Sequence, residues 1–408
     1  MIWSDVGEHA GLRFQEDSPP KADGYQACAV SAKPPALAGG RSLSTIWSDV
    51  RVSSRQIHCA RPGLENLEVR PSVPGDAPAI VALMKEAGLQ PHVQLEHLQW
   101  KYWRERPDWC GPRSYVLTDG QELVAHCAIV PGTLRSEKGE ASVVHLIDWA
   151  ARRSVAGAGI LLMMHVARSS DFLLGIGGSR DTLAIMPKLG YQSCGMVTGY
   201  VRTLAPLGIL KRPVPSSWKL LPRIARSTYW TIAAPRCELA GWEVRRIRTG
   251  EVERVCGAFP APRPGLAVLG RNVEVLRHAL LCPIVPVELY ALERARKVGG
   301  YFLLSYAPGQ ARLVDCWMNS GDPADWRAVI HGAVQQARHR GGVAELTAWS
   351  SDPTLDSVLS ECGCHARMTL PLYLRHSRRE PISAETVRVQ MLDDDAFYLY
   401  FGGNALWA

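Results

Sequence analysis

Between Val143 and Arg168 the chain reads VVHLIDWAARRSVAGAGILLMMHVAR: a β-branched apolar run, a pair of arginines, a loop of small residues with two glycines, then an apolar stretch of period near 3.6. That order predicts strand, glycine loop, helix. Such a junction leaves the first helical N–H groups unpaired and facing outward, which makes it a natural seat for a phosphate or diphosphate. It also places the chain among layered folds in which strands feed helices.

The flanking sequence continues the alternation. Strands are expected at 67–73, 114–118, 122–130, in the run ending at Asp148, at 171–176 and at 191–202. Helices are expected at 74–88, 94–106, from Gly159 onward and at 181–189. This is a mixed α/β layer pattern, not that of a purely parallel doubly wound sheet. The helix at 94–106 carries Trp100, Tyr102 and Trp103; adjacent helical positions point in different directions, so at least one of these rings should be exposed.

After a basic, proline-containing stretch the pattern starts again. Glu243-Val244-Arg245 echoes Glu68-Val69-Arg70, and Arg312-Leu313-Val314-Asp315 echoes His145-Leu146-Ile147-Asp148, at similar separations. Two copies of one fold are expected. The second copy differs at the junction: its helix from Ala324 follows a turn with Asp322, and Asp325 lies in its first turn, charges that would repel a diphosphate. The first copy should therefore hold any phosphorylated ligand. The layout is a poorly ordered extension at 1–64, in which the pentapeptide IWSDV occurs twice, a first domain at 65–205, a linker at 206–237 and a second domain at 238–408.

A length of 408 residues suits two domains, and with 47% hydrophobic residues the chain still lacks any apolar run long enough to span a bilayer. Membrane insertion is not expected. The N-terminus has no export signal, and eleven cysteines are scattered without a framework, so a cytoplasmic location with reduced thiols is expected. The formal charge of +7 is partly local, since seven basic residues and no acid lie between Arg202 and Arg236; that favours anionic ligands or surfaces, with a membrane-surface or nucleic-acid role as the lesser reading. Cys362-Gly363-Cys364-His365 lacks a second ligand pair, and no metal site is expected. Phosphate-loop, dinucleotide, nucleophile-elbow and zincin motifs do not occur.

With these residues in view, Leu67 to Ala205 resembles the GNAT superfamily of N-acetyltransferases. The family signature is Q/R-x-x-G-x-G/A between strand four and the next helix; Gly157-Ala158-Gly159 matches its glycine half, Ser154 stands at the Gln/Arg position, and Arg152 and Arg153 lie just upstream. Ser179 and Gly190-Tyr191 approximate the second signature. The resemblance implies an α/β fold of two tandem GNAT-like mixed-sheet domains, the acyl-CoA N-acyltransferase fold, similar to mycothiol synthase and the Fem-type aminoacyl transferases. It implies transfer of an acetyl or other acyl group from acyl-CoA to an amine of a small metabolite or amino sugar, the acceptor lying between the two copies.

On the same resemblance, backbone amides of Val155, Ala156, Gly157, Ala158, Gly159 and Ile160 would cradle the diphosphate, with Arg152, Arg153 and Ser179 assisting. The main chain from Trp149 to Ala151 would pair with the pantetheine. Asp148, His145 and Tyr191 are the candidates for proton transfer, while Met186 occupies the place where the family often has a tyrosine acid. A separation of three places His145 and Asp148 on opposite faces of a regular strand, so only one could face the cleft. Asp148 could instead pair with Arg152 or Arg153. Trp100, Lys101, Tyr102 and Trp103 would overhang the acceptor. Two other readings stand beside this one: a Fem-like transferase using aminoacyl-tRNA, suggested by the basic 202–236 stretch, and a non-catalytic CoA-binding scaffold or sensor, suggested by Ser154, Met186 and the lost second loop.

Overall fold

A computed structural model describes residues 50–52, 57–59, 67–211, 220–378 and 386–400. The expectations for residues 1–64, including the repeated pentapeptide, lie outside the described residues except for a short ribbon in which Val50–Val52 pairs with Ile57–Cys59.

The first half runs β1 (Leu67–Pro71), α1 (Ala77–Glu86), α2 (Leu95–Leu98), β2 (Ser114–Asp119), β3 (Glu122–Ser136), β4 (Gly139–Ala151), α3 (Ala158–Val166), β5 (Phe172–Ile176), α4 (Arg180–Ile185) and β6 (Gln192–Thr203). The second runs α5 (Leu220–Ala233), β7 (Glu243–Ile247), β8 (Leu266–Leu269), α6 (Val273–Leu280), β9 (Val287–Arg294), β10 (Lys297–Ala307), β11 (Gln310–Met318), α7 (Pro323–His339), β12 (Glu345–Ser350), α8 (Pro353–Glu361), β13 (His365–His376) and β14 (Thr386–Arg388).

Fourteen strands form one sheet in the order β14-β8-β3-β4-β5-β13-β6-β12-β11-β10-β9-β7, with β2 on β3 and β1 on β2. The halves interlace at its centre. β13 lies antiparallel between β5 and β6, the last two strands of the first half, and β6 in turn lies between β13 and β12 of the second. Pulling the halves apart would break three ladders of backbone hydrogen bonds. β8 adds a further join by pairing with Leu134 and Arg135 at the end of β3.

Helices cover both faces. α1 places Ala77, Ile80, Leu83 and Met84 at helical spacing against Val116, Ala128 and Ile147, while α3 buries Ala158, Leu162, Met163 and Val166 against Leu117, Val144 and Leu173 on the opposite face. All nine residues of β11 are buried, as expected of a strand covered on both sides.

The expected helix at 94–106 is shorter and differently wound. α2 passes at Gln99 into a π-helical turn that ends at Trp103, and none of its three aromatic rings is exposed: Trp100 and Tyr102 are buried and Trp103 is half-buried. Long-range partners override the local expectation. Trp100 stacks on His278 at 4.7 Å and meets Tyr398 edge-on at 4.9 Å, both from the second half, and Trp103 Nε1 donates to Ser72 Oγ at 2.9 Å.

Candidate active site

β4 and β5 run parallel for only three pairs, Val143↔Phe172, Val144↔Leu173 and His145↔Leu174, and then diverge, while β4 continues to Ala151. The edge of β4 beyond His145 has no strand partner on that side among the described residues. The gap is an apolar slot walled by Leu146 and Trp149 on one side, Gly177 and Gly178 on the other, with Met163 and Tyr191 deeper in.

At the end of β4 the loop leads into α3, whose N-cap is Gly157 with φ +89°, a conformation that glycine adopts without cost. Among the described residues no side chain caps this helix start. A Cβ on Gly157 would meet only open space, whereas one on Gly159 would lie 3.2 Å from both the Ala151 Cβ and Trp149 Nε1, so Gly159 lets the helix start sit tight against the strand. Trp149 Nε1 also donates to the Gly159 carbonyl at 2.9 Å, fixing the helix to the wall of the slot. Val155, Ala156, Ala158 and Ile160 follow the same turn, with Ala158 buried and Ala156 exposed.

The two arginines differ. Arg152 forms ion pairs with Glu122 and Glu86, while Arg153 is exposed and makes no ion pair with any described residue. Ser179 caps α4 by accepting from the Thr182 amide at 3.2 Å. In the second half the helix start is closed: Asp322 caps α7 by accepting from the Ala324 amide, and Asp325 is held by Trp242 and Arg294.

Asp148 departs from the expected geometry. It has φ +50°, and the pairing with β3 shifts register around it, from Ala128↔Ile147 to His126↔Ala150, so one extra residue bulges out of β4. The bulge breaks the alternation: Leu146 and Trp149 pack with the α3 cluster, while Ile147 and Ala150 pack with the α1 cluster. His145 and Asp148 are therefore not separated onto opposite faces. The bulge is held by His126, whose Nδ1 donates to the Asp148 carbonyl at 3.1 Å while Nε2 meets Ser114 Oγ at 2.9 Å; burial pushes this imidazole down to about 4 and keeps it neutral.

Nor is Asp148 the partner of Arg152 or Arg153. Its carboxylate meets Lys101 Nζ at 2.5 Å and accepts from the Tyr102 hydroxyl at 2.5 Å. Burial favours the neutral acid, but the Lys101 ammonium outweighs it and holds Asp148 well below the usual carboxylate range. The same two carboxylates raise Lys101: burial opposes its charge, Asp148 and Asp395 restore it. Asp315 repeats the arrangement in the second half, paired with Arg271 at 2.9 Å and accepting from Tyr301.

The residues that complete the site are Asp393, Asp394 and Asp395, which enter from the C-terminal segment and are all buried. Each engages a different base. Asp393 pairs with Arg271 at 2.6 Å, Asp394 lies 3.3 Å from His145 Nε2, and Asp395 lies 3.6 Å from Lys101. The sequence signal was three consecutive acids between apolar residues, MLDDDAFY, a run that can be buried only against cations.

His145 occupies the junction. It lines the slot between β4 and β5, and it lines a second cavity between the halves together with Lys101, Arg271 and Asp394. Its Nδ1 donates to the Leu174 carbonyl at 2.9 Å, and Asp394 faces Nε2 without meeting hydrogen-bond geometry, so the carboxylate stands beside the nitrogen and not in line with it. Burial disfavours the imidazolium, yet Asp394 and the Leu174 carbonyl raise this histidine above its ordinary value. Asp394 is lowered to about 2, against the effect of its own burial, by His145; Asp395 is raised, first by burial and then by the charge of Asp394. Tyr191, the third proton-transfer candidate, is buried in the apolar wall of the slot with Met186 and Leu189 and is not brought into this charged cluster.

No protein-family model matches the sequence, and no curated protein matches it. Solved structures do. Saccharomyces cerevisiae N-myristoyltransferase with bound myristoyl-CoA superposes with a TM-score of 0.52 at 16% identity, over 77% of this chain and 80% of that one. A protein from Enterococcus faecalis V583 described as a probable N-acyltransferase gives 0.50 at 12% identity, over 77% and 73%. A GCN5-related N-acetyltransferase from Anabaena variabilis gives 0.50 at 13%, over 76% and 73%. The chain has the GNAT fold, the architecture of acyl-CoA N-acyltransferases.

Proposed function

We propose that the protein is an N-acyltransferase that takes its donor, acetyl-CoA or a longer acyl-CoA, in the slot of the first half and an amine of a small molecule in the cavity between the halves. The tandem-domain reading belongs to this proposal: two GNAT-like units, of which only the first keeps an uncapped helix start. One observation carries it: His145 lines both cavities, at the point where a thioester in one would meet an amine in the other.

The residues fit such a donor. The amides of Gly157, Gly159 and Ile160 would face a diphosphate with the positive end of α3 behind them, those of Val155 and Ala158 being spent inside the loop on the Arg152 and Val155 carbonyls, and Arg153 adds a cation that pairs with no described residue. The free edge of β4 from Leu146 to Ala151 offers main-chain groups to the amides of a pantetheine arm and to the thioester oxygen. The bound thioester supplies an activated acyl carbon; the protein supplies position and proton transfer. Neutral His145, its Nδ1 hydrogen committed to Leu174, presents the Nε2 lone pair to the amine, and Asp394 stabilises the imidazolium that results. As the new C–N bond forms and the C–S bond breaks, the same imidazolium can return its proton to the departing thiolate. Lys101, kept charged by two carboxylates, is a fixed part of the scaffold and not the base.

Support for the class comes from N-myristoyltransferase and the N-acetyltransferase-type structures, which share the fold at low identity. The test is calorimetric titration with acetyl-CoA and myristoyl-CoA, followed by thiol release across a panel of amines. Binding of one donor and amine-dependent thiol release are expected. No binding of either would remove the reading.

A further inference from the structure

The second half keeps the form of a donor slot and fills it with its own chain. β11 and β12 pair only from Gln310↔Glu345 to Leu313↔Ala348 and then part, and β11 has a register shift against β10 next to Asp315, close to where β4 bulges at Asp148. Into that gap runs the segment from Thr386 to Gln390. The Cys316 amide donates to Gln390 Oε1 at 2.8 Å and the Cys316 carbonyl accepts from Arg388 at 2.5 Å. On the other wall Ser351 Oγ donates to the Val387 carbonyl at 2.8 Å and accepts from the Val389 amide at 2.7 Å, while Arg388 lies 3.3 Å from Asp352. The Cys316 amide and carbonyl on β11 are thus occupied, whereas along β4 beyond His145 no strand among the described residues takes the main-chain groups on the side of β5.

The segment leads without slack to the candidate site. After Gln390 comes one 3-10 turn, Met391–Asp393, closed by the Gln390 amide donating to the Asp393 side chain at 2.8 Å; the next residue is Asp394. Three adjacent buried carboxylates repel one another, and Arg271 and Lys101 neutralise the outer two. The middle one is left facing His145.

We propose that this clamp is a positioning device: Arg388 and Gln390, seated in the slot that the second half does not offer to a ligand, hold the chain so that Asp394 stands beside His145 across the boundary between the halves. The second copy thus contributes to proton transfer in the first. The inference rests on the reading of His145 as the proton-transfer group. Arg388 and Gln390 are positioning residues, since neither touches His145.

The charged groups facing His145 are Asp394 and Asp395 from the C-terminal segment, Lys101 from the π-helical turn after α2 and, across the cavity, Arg271 and Asp393. A histidine-labelled full-length chain allows its titration to be followed by NMR without any substrate, the signal being assigned by its loss in His145→Gln. Asp394→Asn should lower the titration midpoint of His145. Gln390→Leu should lower it in the same way, the double variant should go no lower than Asp394→Asn alone, and Ser351→Ala, a smaller change at the other wall of the clamp, should give a smaller shift of the same sign. Should Gln390→Leu fail to fold, Ser351→Ala decides. Folded clamp variants that leave His145 titrating as in the wild type, or shifts that add in the double variant, would overturn the proposal. Acetyl-CoA and myristoyl-CoA binding measured on the same samples keeps the two readings apart: loss of binding by the wild type removes the acyltransferase reading and leaves the titration result to judge the clamp.

Discussion

His145 is held at Nδ1 by the Leu174 carbonyl at 2.9 Å and faces Asp394 Oδ2 at 3.3 Å from Nε2, so one side chain links the diverging strands of the first half to the charge of the C-terminal segment. The arrangement gives an imidazole whose charged form is favoured despite burial.

If His145 is the base, its neutral form must do the work, and kcat should rise with pH through a midpoint above the ordinary histidine value. Asp394→Asn should move that limb to lower pH, and His145→Gln should lower kcat by about 10²- to 10⁴-fold, the usual contribution of general base catalysis, with donor affinity little changed. Stability has the opposite sense: a histidine raised in the folded state stabilises below its unfolded value, and that contribution is lost as pH rises through the folded one. pH profiles of thiol release and of the melting temperature check the two limbs separately.

Lys101 and Asp148 make the second prediction. Both are buried, and Lys101→Met would strand two carboxylates, Asp148 and Asp395, without their cation. A loss of about 3–5 kcal/mol is expected, as for breaking a buried pair from one side, and Asp148→Asn added to it should recover part of that. Asp148 and Asp394 are both lowered, so the stability they contribute is present above the ordinary carboxylate range and is lost as pH falls through their folded values. Chemical denaturation at neutral and acid pH measures both effects.

What was legible in the sequence was local. The run from Val143 to Arg168 specifies strand, loop and helix through neighbours a few residues apart, and the paired echoes at Asp148 and Asp315 correspond to two aspartates that each pair with a cation of their own and accept from a tyrosine of their own. Partners distant in the chain were not legible. Nothing near Asp148 announces the bulge, because the residue that holds its carbonyl is His126 on β3 and its cation comes from the π-helical turn after α2. The crossing of β13 between β5 and β6 depends on pairing between strands far apart in sequence, which no periodicity records. The Asp393 to Asp395 run was visible as letters, but its meaning lies in Arg271, His145 and Lys101, contributed by three separate elements.

The paired arginines separate an anchored charge from a free one. Arg152 already neutralises Glu122 and Glu86, whereas Arg153 is exposed beside the uncapped start of α3. Arg153→Ala should weaken donor binding several-fold at low ionic strength and less at 0.5 M salt, where the Debye length falls to about 4 Å. Arg152→Ala should change donor affinity less and show a weaker salt dependence. Calorimetry at two salt concentrations tells them apart.

The two loop glycines should fail in different ways. At Gly157 an alanine has room for its Cβ but must adopt φ +89°, at a cost of about 1–2 kcal/mol, or else turn the amides away from the ligand. Donor affinity should then fall by about tenfold, the equivalent of 1.4 kcal/mol, with a small change in melting temperature. At Gly159 the backbone is helical and an alanine would suit it, but its Cβ would press on Ala151 and on Trp149 at 3.2 Å and drive the start of α3 away from β4. Gly159→Ala should therefore lower the melting temperature and donor affinity together, and trimming Trp149 in the Gly159→Ala background should restore part of the stability. Equal behaviour of the two variants would mean that the helix start is not seated against the strand as described.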